Sequence, residues 1–296
     1  GIVPITNALG DAFGSMKTAY FVFSIAIVII MWLGQSITVF GVREYKNVFK
    51  SEEVTTLKGM IKAIFQNDQL LYTAIAMSLF MIGYSTTTGF GLYFFKYAYG
   101  NEEMYSLFAV VLGISQIIAL AIFPLFSKRY SRKTLYTGAT VFVVAGYILF
   151  FFSPMDMIYI GAAGVLIFLG QAFIQLLMLM FLADSIEYGQ WKLGKRNESV
   201  TFAVQPFINK LGSAIENGIV GAVVIISGIN EAASAADVTQ EGLLMMKSAM
   251  LIFPLLCIAA GYIVYLAKYK IDSKLYKKIL SDLQESGDLN LENTNH

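Results

Sequence analysis

The 296-residue chain has few charged side chains: Asp, Glu, Lys and Arg make up 14% of it, whereas roughly 25% is typical of a soluble domain. Hydrophobic residues make up 57% of the chain, and its mean hydropathy is +0.65. Six runs of about 20 residues or more contain no charge at all. A helix of that length spans the hydrocarbon core of a bilayer, so a soluble globular protein is excluded.

Two reactive residue types are almost missing. The one cysteine, Cys257, lies in an apolar run, which excludes a disulfide framework and a thiolate metal site. The one histidine, His296, ends a polar tail, so histidine-based catalysis or metal binding has no residues to use. A net charge of +1 provides no basic face for phosphates. We therefore expect neither a cofactor, nor a bound metal, nor a nucleic-acid partner.

The apolar runs predict an all-α integral membrane protein with seven spans. A segment in lipid must satisfy its own backbone hydrogen bonds, so each run is expected to be helical. One span is interrupted by Lys210 and Glu216 but keeps sufficient length. Residues 1–9 are predicted to be the end of a further helix. The predicted spans are Thr18–Phe40, Gln69–Phe95, Met104–Phe126, Thr134–Met155, Met157–Ala183, Ser199–Gly228 and Leu243–Ala267.

Basic residues predict the orientation of these spans. Alternate loops and the C-terminal tail carry 17 Lys and Arg residues, whereas the opposite loops carry Lys17, Lys96 and Lys247. Because cytoplasmic loops are enriched in Lys and Arg, the first set is expected to face the cytoplasm. We therefore expect a multi-pass protein of the cell membrane whose C-terminus is cytoplasmic.

A long, charged link divides the chain. Residues 41–67 form a predicted cytoplasmic linker, as in transporters that join two helix bundles. Residues 1–40 are then a remnant of an N-terminal bundle, and residues 68–268 are a complete C-terminal six-helix bundle. Residues 269–296 are a cytoplasmic polar tail, either solvated or a short amphipathic helix. Since the sequence begins with Gly1 and no signal peptide, we interpret it as starting within a longer reading frame.

Lys210 is the candidate site residue with the strongest physical argument. It lies about 16 Å from the nearer end of its predicted span, which is beyond the reach of a snorkelling lysine. A charge at this depth favours a polar cavity that binds substrate or couples ions over a purely structural partner. A stripe of polar residues at every fourth position accompanies it: Gln205, Asn209, Ser213 and Asn217. Glu216, about 120° around the helix from Lys210, receives no role.

A motif precedes this helix and carries a resemblance. Residues 183–199 read ADSIEYGQWKLGKRNES, an acidic pair followed by Tyr-Gly, a lysine and a Gly-x-Arg-x-Glu-Ser continuation. Gln205 and Lys210 then follow five residues apart. The segment resembles the glycoside–pentoside–hexuronide:cation symporters of the major facilitator superfamily. Residues 66–70 and 92–97 are similar to the lactose–galactoside permease branch of that family.

The resemblance implies two six-helix bundles that bind a sugar between them and transport it with H⁺ or Na⁺. The chain would then be an N-terminally truncated member that holds helices six to twelve and is missing the earlier helices of its N-terminal bundle. Lys210 and Gln205 would line the central cavity. Gln175 falls where melibiose permeases commonly have a tryptophan. Charged residues of the motif would form a cytoplasmic gate that couples the cation: Asp184, Glu187, Lys192, Arg196 and Glu198.

Some readings stay open at this point. The amides of Gln171 and Gln175, four residues apart, could bond sugar hydroxyls in the cavity or only a neighbouring helix. An integral-membrane enzyme is a second alternative. It would need a nucleophile or a catalytic cluster at the interface, and the one candidate cluster is Asp184 with Glu187. We expect no enzyme. A non-transporting membrane scaffold is the third alternative.

Overall fold

The computed structural model describes residues 2–41, 57–232 and 234–286, and the regular structure in these residues is helical. Seven of the described helices are long and apolar enough to cross a membrane, which confirms the all-α membrane fold. The helices are α1 (Ile2–Phe13), α2 (Met16–Gly41), α3 (Leu57–Gln66), α4 (Asp68–Tyr93, continued by a π-helical turn, Phe94–Ala98), α5 (Met104–Arg129), α6 (Arg132–Phe152), α7 (Met157–Leu193), α8 (Glu198–Ile226), α9 (Gln240–Lys268) and α10 (Ser273–Glu285). The spanning helices are α2 and α4–α9.

The chain divides into two compact units, Gly1–Ser51 and Glu52–His296. This boundary falls within the predicted linker, residues 41–67. The end of that linker forms α3, whose Ala63 is buried and whose Ile64 packs against the core of the second unit. The predicted linker therefore includes an amphipathic helix. Residues 42–56 of it lie outside the described residues.

The first unit consists of α1 packed against α2. The predicted helix end at residues 1–9 extends to Phe13, where Gly14 adopts φ 67° and turns the chain into α2. Along α2 the large apolar side chains are exposed, including Trp32 at 66% and Phe40 at 88%. A helix that is apolar all round and exposed suits a lipid environment.

In the second unit, α7 contacts α4, α5, α6 and α8, while α4 also packs against α8 and α9. Glycines let α6 and α7 approach closely. A Cβ on Gly170 would lie 2.7 Å from the carbonyl oxygen of Ala139, and one on Gly146 would lie 3.0 Å from that of Ala163. Small residues at crossings are the usual basis of helix packing in membranes, where water does not drive association.

The contact between α4 and α9 depends on a proline. Pro254 lies within α9 and has no N–H, so it leaves the carbonyl of Met250 without its helical donor. The Thr87 hydroxyl of α4 donates to that carbonyl over 3.1 Å. Beside it, Gly83 gives room for Pro254, whose carbonyl oxygen would lie 2.9 Å from an added Cβ. The hydroxyl therefore replaces the bond that the proline removes.

One end of the second unit is rich in charge, and we call it the charged end. There α4, α6 and α8 begin and α5, α7 and α9 end. The sequence predicted that α7 stops at Ala183, but it continues to Leu193 and is capped by Gly194 at φ 65°. Charged residues limit the membrane span, not the helix. The motif from Asp184 to Lys192 is therefore helical, and the loop before α8 is short.

The predicted polar tail, residues 269–296, contains a docked amphipathic helix. The Asp272 carboxylate caps α10 by accepting from the backbone N–H groups of Lys274 and Leu275. Ile279 and Leu283, both buried, pack with Tyr188 of α7. The tail thus follows the second alternative of the sequence analysis and adds a small apolar cluster. Residues 287–296 lie outside the described residues.

Candidate functional site

The polar stripe of α8 forms an exposed face of the second unit. The side chains of Asn209, Ser213 and Asn217 are exposed, and Gln205 is half-buried at the edge of the face. The Asn217 amide donates to the carbonyl of Ser213 over 2.7 Å, within its own helix. Pro206 removes one backbone donor beside the stripe. The opposite side of α8 is buried through Val204, Ile208 and Gly212. We call the stripe with Lys210 the polar face of α8.

Lys210 belongs to this face. It lies twelve residues after Glu198 and sixteen before Ile226, hence about 18 Å and 24 Å from the two ends of the helix. Its side chain is exposed and makes no ion pair with another described residue. The sequence predicted a charge enclosed in a polar cavity. In the second unit Lys210 lies on an exposed helix face.

Gln171 lies in the core of the second unit instead of on the polar face. Its side chain is 1% exposed and donates to the Tyr147 hydroxyl over 3.4 Å. Tyr147 in turn lies 2.5 Å from the Thr87 hydroxyl. The chain of bonds runs from Gln171 through Tyr147 and Thr87 to the backbone of α9. Within the described residues this supports the neighbouring-helix alternative for Gln171, because its surroundings leave no open surface.

Gln175, one turn further along α7, is half-buried and belongs to a different cluster. It lies near the Tyr84 hydroxyl of α4, which accepts a hydrogen bond from Gln116 of α5 over 3.4 Å. Two amides and a phenol from three helices therefore meet at one point. Such groups can donate to and accept from ligand hydroxyls.

At the charged end, Asp184 forms a buried ion pair with Arg132, the first residue of α6. The Asp184 side chain is 2% exposed and also accepts a hydrogen bond from the Tyr269 hydroxyl over 3.0 Å. Burial raises the pKa of Tyr269, so its hydroxyl stays protonated and donates. Arg132 further lies over the ring of Tyr276 at 5.4 Å. Asp184 of α7 thus connects the start of α6 with the residue that follows α9, and Arg132 extends the contact to the start of α10.

Lys192 pairs with a residue that the sequence did not single out. Its ammonium lies 2.6 Å from the Asp68 carboxylate at the start of α4, and the Tyr188 hydroxyl donates to the same oxygen over 2.9 Å. The neighbouring Asn67 side chain caps α4 and also donates to the carbonyl of Ser185 over 2.7 Å. Together these bonds fasten the start of α4 to the end of α7.

Arg196 connects the loop after α7 to the start of α8. Its guanidinium bonds Glu198 over 3.0 Å and Gln190 over 3.0 Å, and lies 3.7 Å from Glu187. The structure therefore brings all five predicted gate residues to the charged end, in three adjoining groups. Each pair joins parts of the second unit. The sequence missed Asp68, Arg132 and Tyr269, because partners far apart in the chain leave no spacing signal.

The arrangement is a helix bundle with one exposed polar face and one charged, bonded end. A family model described as MFS/sugar transport protein matches residues 2–273 of this chain. The chain belongs to the MFS/sugar transport protein family. The membership agrees with the resemblance seen in the motif before α8.

Several curated relatives of the chain are named as carriers of sugars. It is 30% identical over 277 residues to the raffinose carrier protein of Pediococcus pentosaceus, covering 93% of this chain and 43% of that protein. It is 29% identical to the lactose permease of Leuconostoc lactis, covering 91% of this chain and 42% of that protein. The isoprimeverose transporter of Lactiplantibacillus pentosus is 25% identical, with coverages of 96% and 58%. The chain therefore spans about half the length of these relatives.

Proposed function

We propose that the chain is the C-terminal part of a secondary transporter that carries a sugar across the cell membrane together with H⁺ or Na⁺. The observation that carries this proposal is the polar face of α8, with Lys210 near the middle of a membrane-spanning helix. Hydrocarbon does not solvate an ammonium and three polar side chains at that depth. The face must therefore border water, a ligand or other polar protein surface.

The partner of this face would be the N-terminal helix bundle of the same protein. Two bundles that meet at polar faces enclose a central path, and rocking of one bundle against the other opens it alternately to the two sides. Family membership and the names of the relatives support sugar as the substrate class. Hydroxyl-rich ligands suit the amides of Gln205, Asn209 and Gln175.

The charged end of the second unit would then face the cytoplasm, because it carries most of the lysines and arginines. The C-terminal helix α10 would lie on the same side. In this proposal the groups around Asp184, Lys192 and Arg196 hold the ends of α4, α6, α7 and α8 in register. The cytoplasmic gate formed by these residues would then move together with the ends of these helices.

Thiol labelling tests whether the polar face of α8 lines a path for sugar. In a variant without the native thiol, Cys257→Ser, single cysteines are placed at Ser213 on the polar face or at Phe207, whose side chain is 66% exposed on an apolar side of α8. The full-length protein is reconstituted in lipid vesicles and treated with a membrane-impermeant maleimide. We expect labelling at position 213, slowed by a transported sugar, and none at position 207.

The paired positions make the result decisive. Both side chains are exposed in the second unit and lie six residues apart on α8. Their positions along the helix axis differ by about 9 Å, and the directions in which they leave the helix differ by about 120°. Equal labelling of the two, or labelling at 213 that raffinose, lactose and related sugars leave unchanged, would contradict the proposal. An inert position 213 would also contradict it.

A further inference from the structure

Glu216 is a carboxylate within the membrane that none of the roles above uses. It lies ten residues before Ile226, hence about 15 Å from the nearer end of α8. Its half-buried side chain lies against α4 at Gly89: an added Cβ there would be 2.8 Å from the Glu216 Cδ and 3.1 Å from its Cγ. Gly89 therefore forms a notch in α4 that the carboxyl group occupies.

The carboxyl group has no positive partner among the described residues. Helix α8 packs against α3, α4, α7 and α9. The described charged side chains of the first three lie at the helix ends: Lys62, Asp68, Asp184, Glu187 and Lys192 at the charged end. Lys96, in the π-helical turn after α4, lies at the opposite end and pairs with Glu102 at 4.0 Å. On α9 the ammonium of Lys247 lies 5.1 Å from the Phe151 ring centroid of α6. The titratable groups between the ends of α4 and α9 are tyrosines and one cysteine, which supply no positive charge: Tyr72, Tyr84, Tyr93, Cys257, Tyr262 and Tyr265.

The surroundings suit a proton better than a metal cation. A hard cation binds through several converging oxygens that include carboxylates, whereas the side chains of α4 beside the notch, Thr86 and Thr88, are neutral hydroxyls. Thr88 donates to the carbonyl of Ser85 over 2.9 Å, and Thr86 donates to that of Ile82 over 2.7 Å. The described residues contain no group of three or more acidic, histidine or cysteine side chains that could hold a metal ion. A proton needs only the carboxylate itself.

A route for that proton follows from the position of Glu216 on α8. Around the helix it lies about 20° from both Gln205 and Asn209. It thus sits where the polar face meets the packed contact with α4. A small separation of α8 from α4 would expose the carboxyl group to water at the polar face, and closure would return it to the notch.

We propose that Glu216 is a proton-binding site: it holds a proton while it lies in the notch of Gly89 and releases it when the contact between α4 and α8 opens. A carboxyl group removed from water without a positive partner is stabilised by protonation. The step is a simple acid–base exchange, in which the proton passes between the Glu216 carboxylate and water. The use of this proton in sugar transport rests on the proposed function; the site itself does not.

Infrared spectroscopy tests the site without any transport assay. The 296-residue chain in lipid vesicles is titrated with base, and the carbonyl stretch of protonated carboxyl groups is recorded. We expect a band that persists to higher pH than that of exposed glutamates. It should be absent from Glu216→Gln and present in Glu241→Gln, which removes an exposed carboxylate at the start of α9. A missing band, or a band that survives in Glu216→Gln, would overturn the proposal.

A second variant separates protonation from misfolding. Gly89→Ala fills the notch and displaces the carboxyl group toward the polar face, so its band should disappear at lower pH than in the unsubstituted chain. An unchanged titration would contradict the geometry. In the full-length protein, Glu216→Gln should remove the pH dependence of sugar uptake and retain sugar exchange; unchanged pH dependence would overturn the coupling role. Absence of uptake by the unsubstituted protein would instead refute the proposed function.

Discussion

The ion pair between Asp184 and Arg132 offers a sharp test of the charged end. Asp184→Asn keeps the shape of the side chain and an acceptor for Tyr269 but removes the charge that faces Arg132. Loss of one partner of a buried pair typically costs about 3–5 kcal/mol. Arg132 is 33% exposed, so water partly solvates the stranded guanidinium. We therefore expect a loss of about 2 kcal/mol, reduced from the buried-pair range by this exposure.

The single cysteine provides the assay. Cys257 is half-buried in α9 and is the one thiol of the chain, so its reaction with a fluorogenic maleimide reports unfolding in detergent. A loss of about 2 kcal/mol corresponds to an apparent Tm lowered by roughly 4–8 °C in a protein of this size. Glu103→Gln, which changes an exposed carboxylate before α5, should leave the Tm unchanged.

A double-mutant cycle with Arg132→Gln separates the pair from each residue's other contacts. Once Arg132 has been replaced, Asp184→Asn should lower the Tm much less, because no cation remains to be stranded. Strictly additive shifts would refute the reasoning. So would a Tm for Asp184→Asn within about 1 °C of the unsubstituted protein.

Three further predictions concern packing and docking. Gly170→Ala should cost about 1–3 kcal/mol by forcing α6 from α7, whereas Gly138→Ala, with open space around its Cβ, should be neutral in the same thermal assay. Thr87→Val should lower the free energy of unfolding by about 1–3 kcal/mol, because it leaves the Met250 carbonyl unpaired. Adding Pro254→Ala to this variant restores a backbone donor and should recover part of the loss. An absence of recovery would contradict the proposed bond. Trp191→Phe removes the indole hydrogen bond of 2.8 Å to Asp282, so the backbone amides of α10 should exchange hydrogen faster than in the unsubstituted protein. Lys277→Ala, which changes an exposed residue of α10 and keeps this bond, is the control. Equal exchange rates in the two variants would argue against docking.

The sequence identified the spans because desolvation leaves a direct signal: charges stop where hydrocarbon begins. It misjudged the end of α7 for the same reason. From Asp184 to Leu193 the residues are polar enough to leave the membrane, yet they continue the helix to Gly194. The 41–67 link and the tail likewise contain helices whose apolar residues are too few to register as spans.

The site was predictable in its parts and unpredictable in its pairing. The four-residue spacing on α8 places Asn209 and Ser213 on one face, and both side chains are exposed. Gln171 follows the same spacing with Gln175, but the two lie in different clusters, since their partners Tyr147 and Tyr84 come from different helices. Helical period fixes which residues share a face; packing decides what that face meets.

Sugar uptake by a Lys210 variant tests the central claim most directly. In the full-length protein in vesicles, uptake driven by a cation gradient is compared for Lys210→Ala, Lys210→Arg and the exposed control Lys277→Ala. We expect both Lys210 variants to lose gradient-driven accumulation and Lys277→Ala to retain it, at equal amounts of folded protein. Normal accumulation by Lys210→Ala would contradict the assignment of the polar face of α8 to the transport path.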